Sequence, residues 1–146
     1  MTKSFEILSL NISREKGMPK IPVPRIILLE EGGIEGDAHA GPGNRQVSLL
    51  ADEDIDTMRE KLDTLSPGDF AENITTRGID LPSLPVGTRL MIGDAVLEIS
   101  QIGKDCHSGC AIREKTGDCV MPRRGVFARV IKGGEITDED TGSYDI

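Results

Sequence analysis

The chain has 146 residues, 37% of them hydrophobic and 29% charged, and a net charge of −8. That length suits one domain, and the acidic balance excludes a duplex nucleic-acid binder, which is ordinarily basic. Seventeen glycines, eight prolines and only four aromatics (Phe5, Phe70, Phe127, Tyr144) argue against a helical bundle and for short strands around an aliphatic core.

Phe5–Ile12 is apolar-rich and partly alternating, which predicts a first strand. Residues 14–24, rich in Pro and Lys, predict a loop, and Arg25–Glu30 a second, well-buried strand. A long glycine-rich loop covers residues 31–43, and Gln46–Leu50 predicts a third strand. Over residues 51–65 the period changes: Ile55, Met58, Leu62 and Leu65 recur at helical spacing. Asp52, Glu53 and Asp54 crowd the first turn, where they favour the positive end of the helix dipole, and Ser66-Pro67-Gly68 closes the helix. Asp69–Thr75 is expected to be extended, and Leu81–Pro85 to be a turn-rich connection. Thr88–Ile92 and Ala95–Ser100 flank Gly93-Asp94, a hairpin signal. Val126–Ile131 predicts the last strand, and the acidic tail from Thr137 is expected to fray. Seven or eight strands and a helix predict a mainly β fold, a small β-barrel with one or two covering helices. It should be a single domain over 1–146, with its core at about 5–136 and the tail at 137–146. No apolar run approaches the roughly 20 residues of a membrane helix, and no signal-peptide core follows Met1–Glu6. A soluble, cytoplasmic protein with no membrane partner is expected.

Charge is uneven. Residues 101–134 hold seven cations and three anions, against ten cations and 22 anions elsewhere. All three cysteines, Cys106, Cys110 and Cys119, lie in this basic segment, which suits a small anionic ligand rather than a long polymer. Three readings of the cysteines stay open. Cys106 and Cys110 are spaced as zinc ligands can be, with Cys119 and His107 or His39 to complete a structural site, although the paired spacing of zinc ribbons is missing. Alternatively, Lys104, His107 and the arginines downstream favour the thiolate of Cys106 over the thiol, whose usual pKa is about 8.5, while Asp105 works the other way. A thiolate so made can attack, carry sulfur, or ligate a soft metal such as molybdenum or copper. Lastly, free cysteines often do no more than pack, a reading that suits Cys119 best.

The second candidate region is Gly36-Asp37-Ala38-His39-Ala40-Gly41 with Asn44-Arg45. Glycine-rich loops let backbone N–H groups approach a phosphate or carboxylate, but neither a Walker loop nor a dinucleotide fingerprint is present. Arg45 carries a planar fork suited to either anion; its bland alternative is a surface ion pair.

Taken together, Gly36–His39 with Asn44–Leu50, then Gly68–Thr75, then Val86–Gly93 with Leu97–Ser100, resemble in order and spacing the signatures of the MOSC domain family. That family takes its name from the C-terminal domain of molybdenum-cofactor sulfurases. Gly103-Lys104, Cys106-His107, Cys110–Ile112 and Gly117–Arg123 are similar to the cysteine segment of its small bacterial stand-alone members. The resemblance runs from about residue 5 to residue 136. It implies a barrel-centred domain whose ligand is molybdenum cofactor, a pterin dithiolene bearing a phosphate.

On that resemblance Cys106 is the functional cysteine, carrying sulfur or ligating molybdenum, with Cys110 as a weaker candidate ligand. Arg45 would hold the phosphate, and His39, Lys104, His107, Arg123 and Arg124 would line the cofactor site. Partners would be enzymes of cofactor biosynthesis or acceptor enzymes. Two departures stand out: Arg123-Arg124-Gly125 replaces the more usual Arg-Glu-Gly, adding positive charge, and Thr141–Asp145 lacks the Gly-Asp turn with which many members close. The chain has no aminotransferase-like domain, so pyridoxal phosphate chemistry is not expected. The alternatives are a component of a small molybdenum-dependent reductase, or a non-catalytic module with a zinc-stapled loop.

Overall fold

The computed structural model describes residues 2–15, 18–103 and 124–145. Eleven strands are found among them: β1 (Thr2–Ile12), β2 (Ile21–Val23), β3 (Arg25–Leu29), β4 (Gly33–Ile34), β5 (Val47–Ala51), β6 (Ile74–Arg77), β7 (Arg89–Ile92), β8 (Ala95–Ile102), β9 (Val126–Lys132), β10 (Gly134–Thr137) and β11 (Thr141–Asp145). One α-helix, α1 (Asp52–Arg59), follows β5, and a 3₁₀ turn covers Leu81–Ser83. Seven strands close a barrel in the order β11-β7-β8-β9-β5-β6-β1, sealed by the pairing of β11 with β1, and β2 extends β1 on the outside. A separate small sheet, β10-β3-β4, stands beside it.

All barrel pairings but one are antiparallel; β5 and β6 run parallel. Parallel neighbours need a crossover, and α1 lies on the one between them. The barrel interior is aliphatic, with Leu10, Leu49, Ile74, Leu90, Leu97 and Val130 fully buried. A second cluster (Leu50, Ile55, Met58, Leu65, Phe70 and Phe127) packs α1 against the outer wall. Both faces of β5 are therefore covered, and all five of its residues are buried.

The mainly β barrel of the sequence reading is what forms, with differences that have physical causes. The helix stops at Arg59, not at Ser66. Turns at Lys61, Leu62 and Leu65 follow, and the Arg59 guanidinium donates to the carbonyl of Leu65. The apolar period survives because those turns return Leu62 and Leu65 to the same cluster. Strand β3 is buried on one face only: Ile26 and Leu28 point inward, Ile27 and Leu29 outward. The loops read at 14–24 and 31–43 each contain a short strand, β2 and β4.

The acidic tail is not frayed. Residues 141–145 pair with β1 on one side and β7 on the other, so the tail closes the barrel, and Val126–Lys132 is not the last strand. Gly142 lies under the ring of Phe5. A Cβ there would stand 2.1 Å from Phe5 Cζ, so only glycine fits.

Candidate functional site

The glycine-rich loop is held at both ends by buried polar side chains. At its start the Asp37 carboxylate accepts hydrogen bonds from the backbone N–H groups of Ser13 (3.1 Å) and His39 (3.2 Å). Lys20 Nζ lies 2.8 Å from Asp37 Oδ1, and both side chains are 0% exposed. Burial alone would push the Asp37 carboxyl up. The Lys20 ammonium and the two N–H donors outweigh it, so the carboxyl titrates below its ordinary range. Lys20 Nζ also donates to Ser13 Oγ at 3.3 Å and lies 3.0 Å from His39 Nδ1. His39 thus stands on a buried ion pair, with its own ring 42% exposed.

At the other end Gln46 is completely buried. Its amide oxygen accepts the Val130 N–H at 2.9 Å, and its amide nitrogen donates to Gly43 O and to Glu31 Oε2, both at 3.0 Å. The side chain continues the pairing of β5 with β9 beyond Val47↔Ala128, where the backbone ladder ends. Glu31 is fastened in turn by the Arg129 fork, with contacts of 3.1 and 2.7 Å. Arg45, next to Gln46, therefore leaves the barrel at a fixed point.

A β-bulge shapes the opposite wall. The register of β8 against β9 slips between Ile99 and Gln101, and the extra residue, Ser100, turns its hydroxyl to the carbonyls of Phe127 and Asn44. Bulges re-aim neighbouring side chains, and here Gln101 faces Arg45: Arg45 Nε donates to Gln101 Oε1 at 3.3 Å. Gln101 donates onward to Gly103 O at 2.9 Å, and Gly103 N donates to Gly125 O at 2.6 Å. The last contact forms the neck from which the cysteine segment leaves and to which it returns. The Arg45 guanidinium also lies over the Phe127 ring, 5.3 Å from its centroid. Among the described residues Arg45 makes no ion pair, so the bland alternative of a surface salt bridge does not apply there.

The remaining site candidates divide. Arg124 donates to Asp54 Oδ1 at 3.0 Å and to Asp80, so two carboxylates offset its charge. Lys104, Cys106, His107, Cys110, Cys119 and Arg123 lie outside the described residues. Of the sequence candidates, the structure brings Arg45 to the neck of the cysteine segment and sets His39 at the far end of its own loop. Sequence reasoning missed Lys20, Gln46 and Gln101. The Asp37 side chain bonding to the N–H two residues on is a readable turn signal; nothing local marks a lysine for burial.

The second sequence signature, Gly68–Thr75, forms a buried polar staple beside this loop. Asn73 Oδ1 accepts from Ser48 N and Oγ at 3.0 and 3.1 Å, and Asn73 Nδ2 donates to Asn11 O at 3.1 Å. Asn11 Nδ2 donates to Glu72 O and Thr75 Oγ1. The Glu72 carboxylate accepts from Thr75 Oγ1 (2.8 Å) and Phe70 N (3.2 Å). Burial pushes the Glu72 carboxyl up, and these donors only partly oppose it. Gly68 joins staple to loop: it accepts Lys20 N at 2.8 Å, and with φ +93° a Cβ on it would lie 2.0 Å from Lys20 O.

Comparison with known proteins agrees with this architecture. The YuaD protein from Bacillus subtilis superposes with a TM-score of 0.82 at 19% identity, over 99% of this chain and 97% of that one. YiiM from Geobacillus stearothermophilus gives 0.74 at 19% identity, covering 97% and 75% of the two chains. YiiM from Escherichia coli gives 0.70 at 18%, covering 99% and 70%. At such identities these likenesses establish the fold. No curated protein sequence matches the chain. The family model described as the MOSC domain matches residues 35–141. That span holds the anchored loop, the bulged strand, the cysteine segment and most of the barrel, and the chain belongs to the MOSC domain family.

Proposed function

We propose that this protein binds molybdenum cofactor and handles it through Cys106, as sulfur carrier or molybdenum ligand, in cofactor biosynthesis or delivery to an acceptor enzyme. The MOSC family is associated with that cofactor. The observation that carries the reading is Arg45: an exposed fork, without a carboxylate partner among the described residues, fastened through Gln101 to the neck of the basic cysteine segment. A guanidinium so placed can accept a phosphate in bidentate fashion.

The donor set fits the group. A pterin phosphate calls for a cation, and molybdenum or its sulfur for a soft thiolate. Cys106 stands three residues after Gly103 in the sequence. When bound, the cofactor would supply the redox-active or sulfur-accepting metal. The chain's own part would be to grip the phosphate at Arg45, to offer hydrogen bonds from the loop at 36–45, and to present the Cys106 sulfur.

The test is metal analysis by inductively coupled plasma mass spectrometry after anaerobic incubation with molybdenum cofactor and desalting. Near-stoichiometric molybdenum is expected in wild type, with loss in Cys106→Ala and weakened retention in Arg45→Ala. Molybdenum absent from wild type, with zinc in its place, would overturn the proposal in favour of a structural cysteine loop.

A further inference from the structure

Lys20 is a buried ammonium that the proposed function leaves without a task. Its side chain is 0% exposed, and its three N–H bonds have three acceptors within reach: Asp37 Oδ1 at 2.8 Å, Ser13 Oγ at 3.3 Å and His39 Nδ1 at 3.0 Å. An ammonium donates and cannot accept. The nitrogen of His39 that faces it must therefore present its lone pair. Imidazole with Nδ1 as acceptor carries its proton on Nε2, and the partner of one ring nitrogen decides the role of the other.

We infer that Lys20 and Asp37 are positioning residues that hold His39 as the neutral Nε2–H tautomer, so that its ring offers a hydrogen bond to an acceptor oxygen of the bound ligand. Asp37 has two parts in this. It pairs directly with the Lys20 ammonium at 2.8 Å, and it fixes the histidine backbone by accepting the His39 N–H at 3.2 Å. Its Oδ2 is 3.9 Å from Nδ1, too far to compete for a proton there with a donor at 3.0 Å. The ring is 42% exposed, enough to meet a small ligand. The ligand class follows from the donor: a phosphate, carboxylate or carbonyl oxygen, and not a metal ion seeking the Nδ1 lone pair, which Lys20 occupies. The identity of that ligand rests on the molybdenum-cofactor reading; the tautomer does not.

The tautomer is read directly from long-range ¹H–¹⁵N spectra of the ¹⁵N-labelled, ligand-free full chain, slightly above neutral pH. Of the two histidines in the chain, His39 is assigned by comparison with His107→Gln. One protonated-type resonance at Nε2 and one bare-type resonance at Nδ1 are expected. A bare Nε2 with a protonated Nδ1 would overturn the inference. Lys20→Met is expected to blur the pattern into a tautomer mixture, and Lys20→Arg, which keeps a donor, to restore it. A folded Lys20→Met with the wild-type pattern would show that Lys20 does not set the tautomer. Should Lys20→Met fail to fold, wild type and Lys20→Arg decide the matter. Inorganic phosphate, as probe for the acceptor, is then titrated into wild type. A saturable shift of the His39 Nε2 resonance supports the donor role, and its absence overturns it. Because the tautomer is read without cofactor, failed molybdenum uptake with a correct tautomer would count against the proposed function alone.

Discussion

Two buried polar clusters are joined where the Gly68 carbonyl accepts the Lys20 N–H, and they treat charge in opposite ways. The Lys20–Asp37 cluster pairs an ammonium with a carboxylate and opens outward through the half-exposed ring of His39. The staple of Asn11, Ser48, Glu72, Asn73 and Thr75 contains a carboxylate with no cation beside it among the described residues, met there by N–H and O–H donors. Its members tie β1, β5 and β6 together and are themselves buried. Burying a charge demands a partner, whereas burying amides and hydroxyls demands only that their hydrogen bonds be made. The difference teaches where to look for chemistry. A full charge pair next to a reachable ring is a means of orienting something, while a closed amide network holds strands in register.

The comparison breaks most sharply at Asp37. Replacing it with Ala leaves Lys20 charged and unpaired in the interior, and stability in urea melts should fall by about 3–5 kcal/mol. The double variant Lys20→Met with Asp37→Ala should lose clearly less than the sum of the two single changes, since neither charge is then stranded. Additive losses would mean that the pair is not a unit. In the staple, Asn73→Ala removes the acceptor for Ser48 and the donor to Asn11. It should cost about 2–3 kcal/mol by the same measurement, with no rearrangement at His39.

How much of this was legible in the sequence differs between the clusters. Barrel, hairpin and helix start could be read because alternation and acidic first turns are local signals. The tail could not. Thr141–Asp145 is polar and acidic in sequence, yet Tyr144 and Gly142 are placed by partners some 140 residues away on β1. The helix end was misplaced because the 3.6-residue period records which side chains reach the cluster, not whether the backbone between them stays helical. Arg45 and His39 were visible as residue types next to glycines. Lys20 was hidden in a stretch that reads as a solvated loop, since burial of a lysine is set entirely by Asp37 and Ser13 arriving from elsewhere.

Titration sharpens the contrast with opposite signs. Asp37 has a lowered folded pKa. Its contribution to stability is present above its unfolded value, about 3.8, and is lost as pH falls through the lower folded value. Glu72 has a raised folded pKa. Its contribution is fully present below the unfolded value, about 4.5, and is lost as pH rises through the folded one. In urea midpoints measured across pH, Glu72→Gln should therefore gain on wild type as pH rises from about 4.5. Asp37→Asn should show a shallower loss than wild type at the acid end. A Glu72→Gln curve parallel to wild type would mean that the buried carboxyl does not hold its proton more tightly when folded.

The smallest expected effect on stability falls on a residue whose removal should weaken ligand retention. The guanidinium of Arg45 is exposed; among the described residues its contacts are one hydrogen bond to Gln101 and the face of Phe127. An exposed cation–π contact contributes about 0.5–1 kcal/mol, so Arg45→Ala should melt within about 1 kcal/mol of wild type. Neighbouring Gln46 behaves otherwise. Gln46→Ala strands the Val130 N–H and frees Glu31 and Gly43 from the loop, and should cost about 1–3 kcal/mol. If Arg45 is instead a structural brace, Arg45→Ala will lose as much stability as Gln46→Ala, and any loss of molybdenum retention will follow unfolding. If it is a phosphate grip placed by Gln46, retention and stability will separate: Arg45→Ala folds but holds the ligand more weakly, and Arg45→Lys keeps the charge but loses the bidentate fork and falls between. Gln46→Ala then weakens both together.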